Sequence, residues 1–142
     1  MKVSEAMTEK VTACTSDAAI SRVAQSMISE DCGLIPVVEE KGNVIKPVGV
    51  ITDRDIVVQA IAKGRNPQNL KARDCMTRNL HTVRDTADLS ECTSLMEKYQ
   101  LRRMLVVDQN NSLVGIVAQA DVAKRAEASK TAQLVKDVSQ SN

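Results

Sequence analysis

Ile20, Val23, Ala24, Met27 and Ile28 recur at i, i+3, i+4, i+7 and i+8, the spacing of a helix that buries one face. Ser16 or Asp17 can cap its start and Gly33 punctuates its end. Two short β-branched runs follow, Leu34–Val38 and Val48–Ile51, with Gly42-Asn43 between them. That arrangement predicts a hairpin. Pro36 has no N–H to give to a ladder, which suits a strand edge or an unpaired position. Upstream, Val11–Cys14 reads as a short strand. Downstream, Asp53 to about Ala62 reads as a second helix stopping at Gly64.

The same order then repeats. Met7-Thr8 returns as Met76-Thr77, and at that offset Ala18, Ser21, Met27 and Val37-Val38 match Ala87, Ser90, Met96 and Val106-Val107. Past a loop with a three-residue insertion in the first copy, around Lys41 to Lys46, Gly49 matches Gly115 and Asp55 matches Asp121. His81–Val83 is the strand of the second copy. Leu89, Cys92, Leu95, Met96 and Tyr99 mark its helix face, and Arg103–Val107 and Leu113–Val117 form its hairpin with Asn110-Asn111 at the turn. The last helix runs from Gln119 to about Ala132. One β-α-β-β-α unit is used twice.

This predicts an α/β fold, α+β by sheet type: a first repeat over residues 1–62, a linker over 63–71, a second repeat over 72–132 and a frayed polar tail over 133–142. Neither repeat alone can cover its sheet well. Two packed sheet to sheet would do so, around a pseudo-two-fold with equivalent clefts between the copies.

Composition narrows the chemistry. Net charge is +1 over 142 residues, which gives no broad surface for nucleic acid or an anionic membrane. The chain has one Tyr, no Trp and no Phe, so a planar ligand must lie between aliphatic side chains and backbone. Cys14, Cys32, Cys75 and Cys92 show no C-x-x-C spacing, and Met1 to Lys10 lacks a signal-like apolar run. Free thiols in a cytoplasmic protein are the expectation.

The paired segments A-M-T and C-M-T, with G-V-I-T-D-R-D-I and G-I-V-A-Q-A-D-V closing each unit, resemble a pair of cystathionine-β-synthase-type (CBS) domains, or Bateman module. The resemblance covers roughly residues 3 to 126. T-D-R-D-I-V-V-Q-A-I-A-K-G-R-N-P adds a likeness to free-standing bacterial members of the hypoxic-response type. It implies a regulatory module with no required cofactor. Its ligands would be AMP, ADP or ATP, then S-adenosylmethionine or NAD, in clefts shared by the two copies. It also implies a homodimer made helix to helix, signalling to an effector protein.

The resemblance gives Asp55 the ribose hydroxyls, and gives phosphate oxygens to Thr52 and the first amides of the helix, flanked by Ile51 and Arg54. They would face Thr82, Asp85, Ala87, Arg102, Arg103 and Met104, with Arg103 or Arg102 on the phosphate. A second, weaker cleft would join Asp121 to Thr12, Thr15, Ala18, Leu34, Ile35 and Pro36. There Ala118 replaces the Thr, and Gly33-Leu34 stands for Arg102-Arg103.

Plainer readings stand beside these. Thr52-x-x-Asp55 has the spacing of a capping box, and Arg102-Arg103 of a solvated pair. The chain could equally be a ligand-free scaffold acting through a helical dimer surface. His81, the only histidine, has no visible nucleophile or acid partner and the cysteines lack close metal-ligand pairs. Neither catalysis nor a metal site is therefore expected. A Cys14–Cys32 redox pair is conceivable, against two small apolar packing residues.

Overall fold

The computed structural model describes residues 1–140. Its elements are α1 (Val3–Ala6), β1 (Cys14–Thr15), α2 (Ile20–Ser29), β2 (Leu34–Lys41), β3 (Val44–Thr52), α3 (Asp53–Ile56) running into a π-helical turn (Val57–Ile61), a 3-10 turn (Pro67–Asn69), α4 (Ala72–Cys75), β4 (Thr82–Arg84), α5 (Leu89–Lys98), β5 (Arg103–Val107), β6 (Leu113–Ala118) and α6 (Gln119–Gln140). The fold is mixed α/β, with sheets ordered β1-β2-β3 and β4-β5-β6.

Contacts divide the chain into two compact units. The first unit holds residues 10–81 with 109–113. The second holds 1–9, 82–108 and the chain from Val114 onward. Contact boundaries thus cross the chain-order repeats, because each repeat's opening segment is built into the other repeat's unit.

In the first unit β1 runs parallel to β2, pairing only at Val37 and Val38, and β2 runs antiparallel to β3 with a bulge between those residues. This explains Pro36. Its strand is central, yet β1 has not begun to pair at that level, so the missing N–H breaks no ladder on that side. Ile20, Val23 and Met27 of α2 pack on Ile35, Val37 and Ile51 of the sheet, with Ala72 and Cys75 of α4. The segment around α4 is tied in by backbone: Ala72 N–H donates to the Ala18 carbonyl at 2.8 Å, Arg73 N–H to Ser16 at 3.0 Å, and Ile20 N–H to the Leu70 carbonyl at 3.0 Å. Thr77 and Val50 exchange hydrogen bonds of 2.8 and 3.0 Å along the open edge of β3.

The second unit repeats this with the chain's start. Val3 N–H donates to the Ala87 carbonyl at 2.9 Å, Ser4 N–H to Asp85 at 3.1 Å, and Leu89 N–H to the Met1 carbonyl at 2.9 Å. Thr8 and Ile116 exchange bonds of 2.8 and 3.0 Å. The core gathers Val3, Val83, Cys92, Met96, Met104, Val106 and Val117.

Several boundaries differ from the expectation. β1 begins at Cys14 rather than Val11, and β4 at Thr82 rather than His81. Gly33 does not end α2. Asp31 takes the left-handed conformation instead (φ 49), and Cys32 N–H returns to the Met27 carbonyl at 3.0 Å. Gln100 (φ 53) and Leu101 do the same after α5. α6 continues through the expected fraying point to Gln140. Ser141 and Asn142 lie outside the described residues. The short helices α1 and α4 were not legible, since four residues are too few for a periodicity.

Candidate functional site

Thr52 ends β3 and caps α3. Its Oγ1 accepts the Asp55 N–H at 3.1 Å, and Asp55 Oδ2 accepts the Thr52 N–H at 2.9 Å. The capping box is therefore real. The Thr77 hydroxyl makes a long contact of 3.4 Å to Asp55 Oδ1. An ionised carboxylate offers about four acceptor positions, so a fixed, half-buried Asp55 keeps capacity for further donors.

The amides at the start of α3 are otherwise occupied, which corrects one expectation. Asp53 N–H donates to the Gly33 carbonyl at 3.2 Å, Arg54 N–H to Asp53 Oδ1 at 2.8 Å, and Asp55 N–H to Thr52. They are not free to face phosphate oxygens. Arg54 is exposed, whereas Ile51 is wholly buried and has only backbone to offer.

In the second unit Thr82 opens β4 and is exposed. Asp85 and Ala87, both half-buried, sit on a turn held from three sides. Asp85 N–H reaches the Val107 carbonyl at 3.0 Å, Ala87 N–H the Arg84 carbonyl at 3.1 Å, and α1 donates to both carbonyls of the turn. A cleft of about 350 Å³ opens here, lined by Thr82, Val83, Arg84, Thr86, Ala87, Glu91 and Leu95. Arg102 and Arg103 are exposed, and the Arg102 carbonyl accepts the Gln119 N–H at 2.8 Å. Met104 is buried in the core, so its side chain is a packing group.

Of the residues assigned to the weaker cleft, Thr15 is exposed and Thr12, Ala18 and Leu34 are half-buried. Ile35 and Pro36 are fully buried. Asp121 is half-buried in the first turn of α6. By unit, Thr12, Thr15, Ala18, Leu34, Ile35, Pro36, Ile51, Thr52, Arg54 and Asp55 belong to the first, and the remaining candidates to the second.

Sequence reasoning missed Thr77, Thr86 and Glu91 as site neighbours. Thr77 did carry a signal, because it belongs to the repeated Met-Thr pair, but that pair served only to set the repeat. All four cysteines are free thiols. Burial pushes the Cys14, Cys75 and Cys92 thiols up, with the Asp74 carboxylate as the next cause at Cys75. Among the described residues no group of three or more His, Cys, Asp or Glu side chains is placed to hold a metal ion. No helix among them is long and apolar enough to cross a membrane.

The CBS domain family model matches residues 3–60 and 72–128. Protein MK0525 of Methanopyrus kandleri is 35% identical over 100 residues, 70% of this chain and 50% of that protein, so the chain spans about half of that relative's length. The CBS domain-containing protein YhcV of Bacillus subtilis is 38% identical over 85% of this chain and 82% of its own. Hypoxic response protein 1 of Mycobacterium tuberculosis is 32% identical over 84% and 80%. A crystal structure of hypoxic response protein I with two coordinated zinc ions superposes with a TM-score of 0.77 at 30% identity, covering 87% of this chain and 98% of that one. The CBS domain pair of protein MJ0100, in complex with 5′-methylthioadenosine and S-adenosyl-L-methionine, gives a TM-score of 0.77 at 26% identity over 91% and 98%.

Proposed function

We propose that this chain, which belongs to the CBS-domain family and carries two copies of that domain, senses an adenine nucleotide. A CBS pair is a regulatory module. The finer reading is that AMP, ADP or ATP is gripped at the ribose by Asp55. Thr82 and Ala87 would receive the base against aliphatic walls, and Arg103, with Arg102 beside it, would take the phosphates.

The observation that carries this is Asp55. Its carboxylate is fixed by the Thr52 N–H at 2.9 Å yet retains acceptor positions for a diol. That the MJ0100 pair binds two adenosine-bearing ligands supports the class, and favours S-adenosylmethionine as the second ligand to test. With the amides of α3 engaged, phosphate recognition rests on the arginines, whose planar fork suits it. The ligand would shift the population of two conformations through differential affinity, which is all that a sensor requires. We read the protein as a cytoplasmic homodimer that is not itself an enzyme and acts through an effector protein.

Calorimetry with AMP, ADP, ATP, NAD and S-adenosylmethionine tests the proposal. Asp55→Ala is expected to weaken the best ligand by roughly tenfold to a hundredfold, each decade being about 1.4 kcal/mol. Thr52→Ala removes the cap, at a cost of about 1 kcal/mol of stability, together with the hydroxyl expected near the phosphate. Equal affinity in wild type and Asp55→Ala would remove Asp55 from the site. No binding by any of the five leaves the scaffold reading.

A further inference from the structure

The Met-Thr pair that opens each repeat has a structural role that nucleotide sensing does not use. Met7 follows α1 and Met76 follows α4, and each thioether is seated on a glycine of its own unit. A Cβ added at Gly115 would lie 2.6 Å from Met7 Sδ, and one at Gly49 2.7 Å from Met76 Sδ. Only glycine permits so close an approach. The threonine after each methionine is bridged to the strand residue after each glycine. Thr77 and Val50 exchange bonds of 2.8 and 3.0 Å, and so do Thr8 and Ile116. In both units, then, a sulfur covers a two-bond bridge on a sheet edge. Of the six methionines, Met27, Met96 and Met104 are buried and Met1 is exposed at the terminus. Met7 and Met76 are half-buried at the margins of the two cores.

We infer that Met7 and Met76 are a paired oxidation site, at which a peroxide converts each thioether to its sulfoxide and loosens the bridge beside it. A sulfur lone pair takes one oxygen of hydrogen peroxide. The S–O bond forms as the O–O bond breaks, and the departing hydroxide leaves as water with the proton of the transferred oxygen. Sulfur is oxidised by two electrons and the peroxide is reduced. The product does not suit its seat. Its oxygen is an acceptor, and both N–H groups of each bridge are already engaged. The other polar atoms there, the Thr77 and Thr8 carbonyl oxygens, lie 3.1 and 3.0 Å from the same Cβ positions and are acceptors too. A polar oxygen without a donor is costly to keep out of water. The oxidised side chain therefore turns outward, and the glycine and its bridge lose their cover. In the first unit the Thr77 hydroxyl contacts Asp55 Oδ1 at 3.4 Å, so oxidation at Met76 reaches that carboxylate. This last link rests on the nucleotide reading; the oxidation site does not.

Mild hydrogen peroxide on the full chain, read by peptide mass spectrometry and amide hydrogen exchange, is the test. Sulfoxide is expected at Met7, Met76 and the exposed Met1, while Met27, Met96 and Met104 stay reduced. The amides of Val50, Thr77, Thr8 and Ile116 are expected to exchange roughly tenfold faster after oxidation. Methionine sulfoxide reductases with dithiothreitol should restore them where dithiothreitol alone does not. Met7→Leu/Met76→Leu conserves volume closely and keeps all four cysteines, so its exchange should not respond to peroxide. Met76→Leu alone should silence only the Val50 and Thr77 amides. A leucine variant that responds like wild type assigns the effect to the thiols and overturns the proposal. Absence of sulfoxide at Met7 and Met76, or sulfoxide there with unchanged exchange, overturns it as well, and this arm needs no variant. Oxidation should also weaken the best nucleotide a few-fold in wild type and not in Met76→Leu. Unchanged affinity refutes the link to Asp55 alone, and if none of the nucleotides binds, exchange still decides the oxidation site.

Discussion

Gly49→Ala is the sharpest probe of the backbone bridge on β3. A Cβ there would lie 2.7 Å from Met76 Sδ, 3.1 Å from Met76 Cγ and 3.1 Å from the Thr77 carbonyl oxygen. The thioether can swing away at small cost. The carbonyl cannot, because it accepts the Val50 N–H at 3.0 Å while the Thr77 N–H donates back at 2.8 Å. Weakening both bonds costs about 2 kcal/mol at roughly 1 kcal/mol each, and overpacking adds about 1–3 kcal/mol. The lower chain entropy of unfolded Ala returns about 0.4–1 kcal/mol. A net loss of roughly 2–4 kcal/mol follows from these principles. Urea denaturation of wild type, Gly49→Ala, Met76→Ala and the double variant measures it. The single-site costs should fail to add, the pair being coupled by about 0.5–3 kcal/mol. Strict additivity, or a Gly49→Ala protein as stable as wild type, refutes the steric argument.

Gln100→Gly should raise stability by about 0.5–1 kcal/mol, since the left-handed conformation that Gln100 holds (φ 53) burdens any side chain with a Cβ; an unchanged urea midpoint would contradict this. Alkaline stability should reflect the buried thiols. Cys75 and Cys92 ionise near 9.0 when unperturbed and are held above that by burial in the fold. Their contribution is therefore full below pH 9 and is lost as pH rises through the raised values. The urea midpoint should fall above that point, and Cys75→Ala/Cys92→Ala should flatten the fall.

The two long-faced helices, both hairpins and the repeat were legible because each carries a period that burial enforces. Ile20, Val23 and Met27 are buried as their spacing demands. The end of α2 was misplaced because Asp31 turns left-handed where Gly33 was the expected residue, and no short pattern marks that. At the candidate site, the pairing of Thr52 with Asp55 could be seen in four letters. What could not be seen was the competition for the amides of α3, since the Gly33 carbonyl that takes the Asp53 N–H is distant in sequence. Ile35, Ile51 and Met104 carried family positions but face the core, because a strand places alternate side chains on opposite sides. Sequence names the position, not the side of the sheet.

The exchange of opening segments has a consequence for how the molecule can be divided. Cleavage within residues 63–71 would send Val3, which fills the core of the second unit, away with the first fragment, and Ala72 and Cys75, which fill the core of the first, away with the second. Neither fragment would own a complete interior. Expressed apart they should be unstable, and mixed they should reassemble, each lending the other the few residues it lacks.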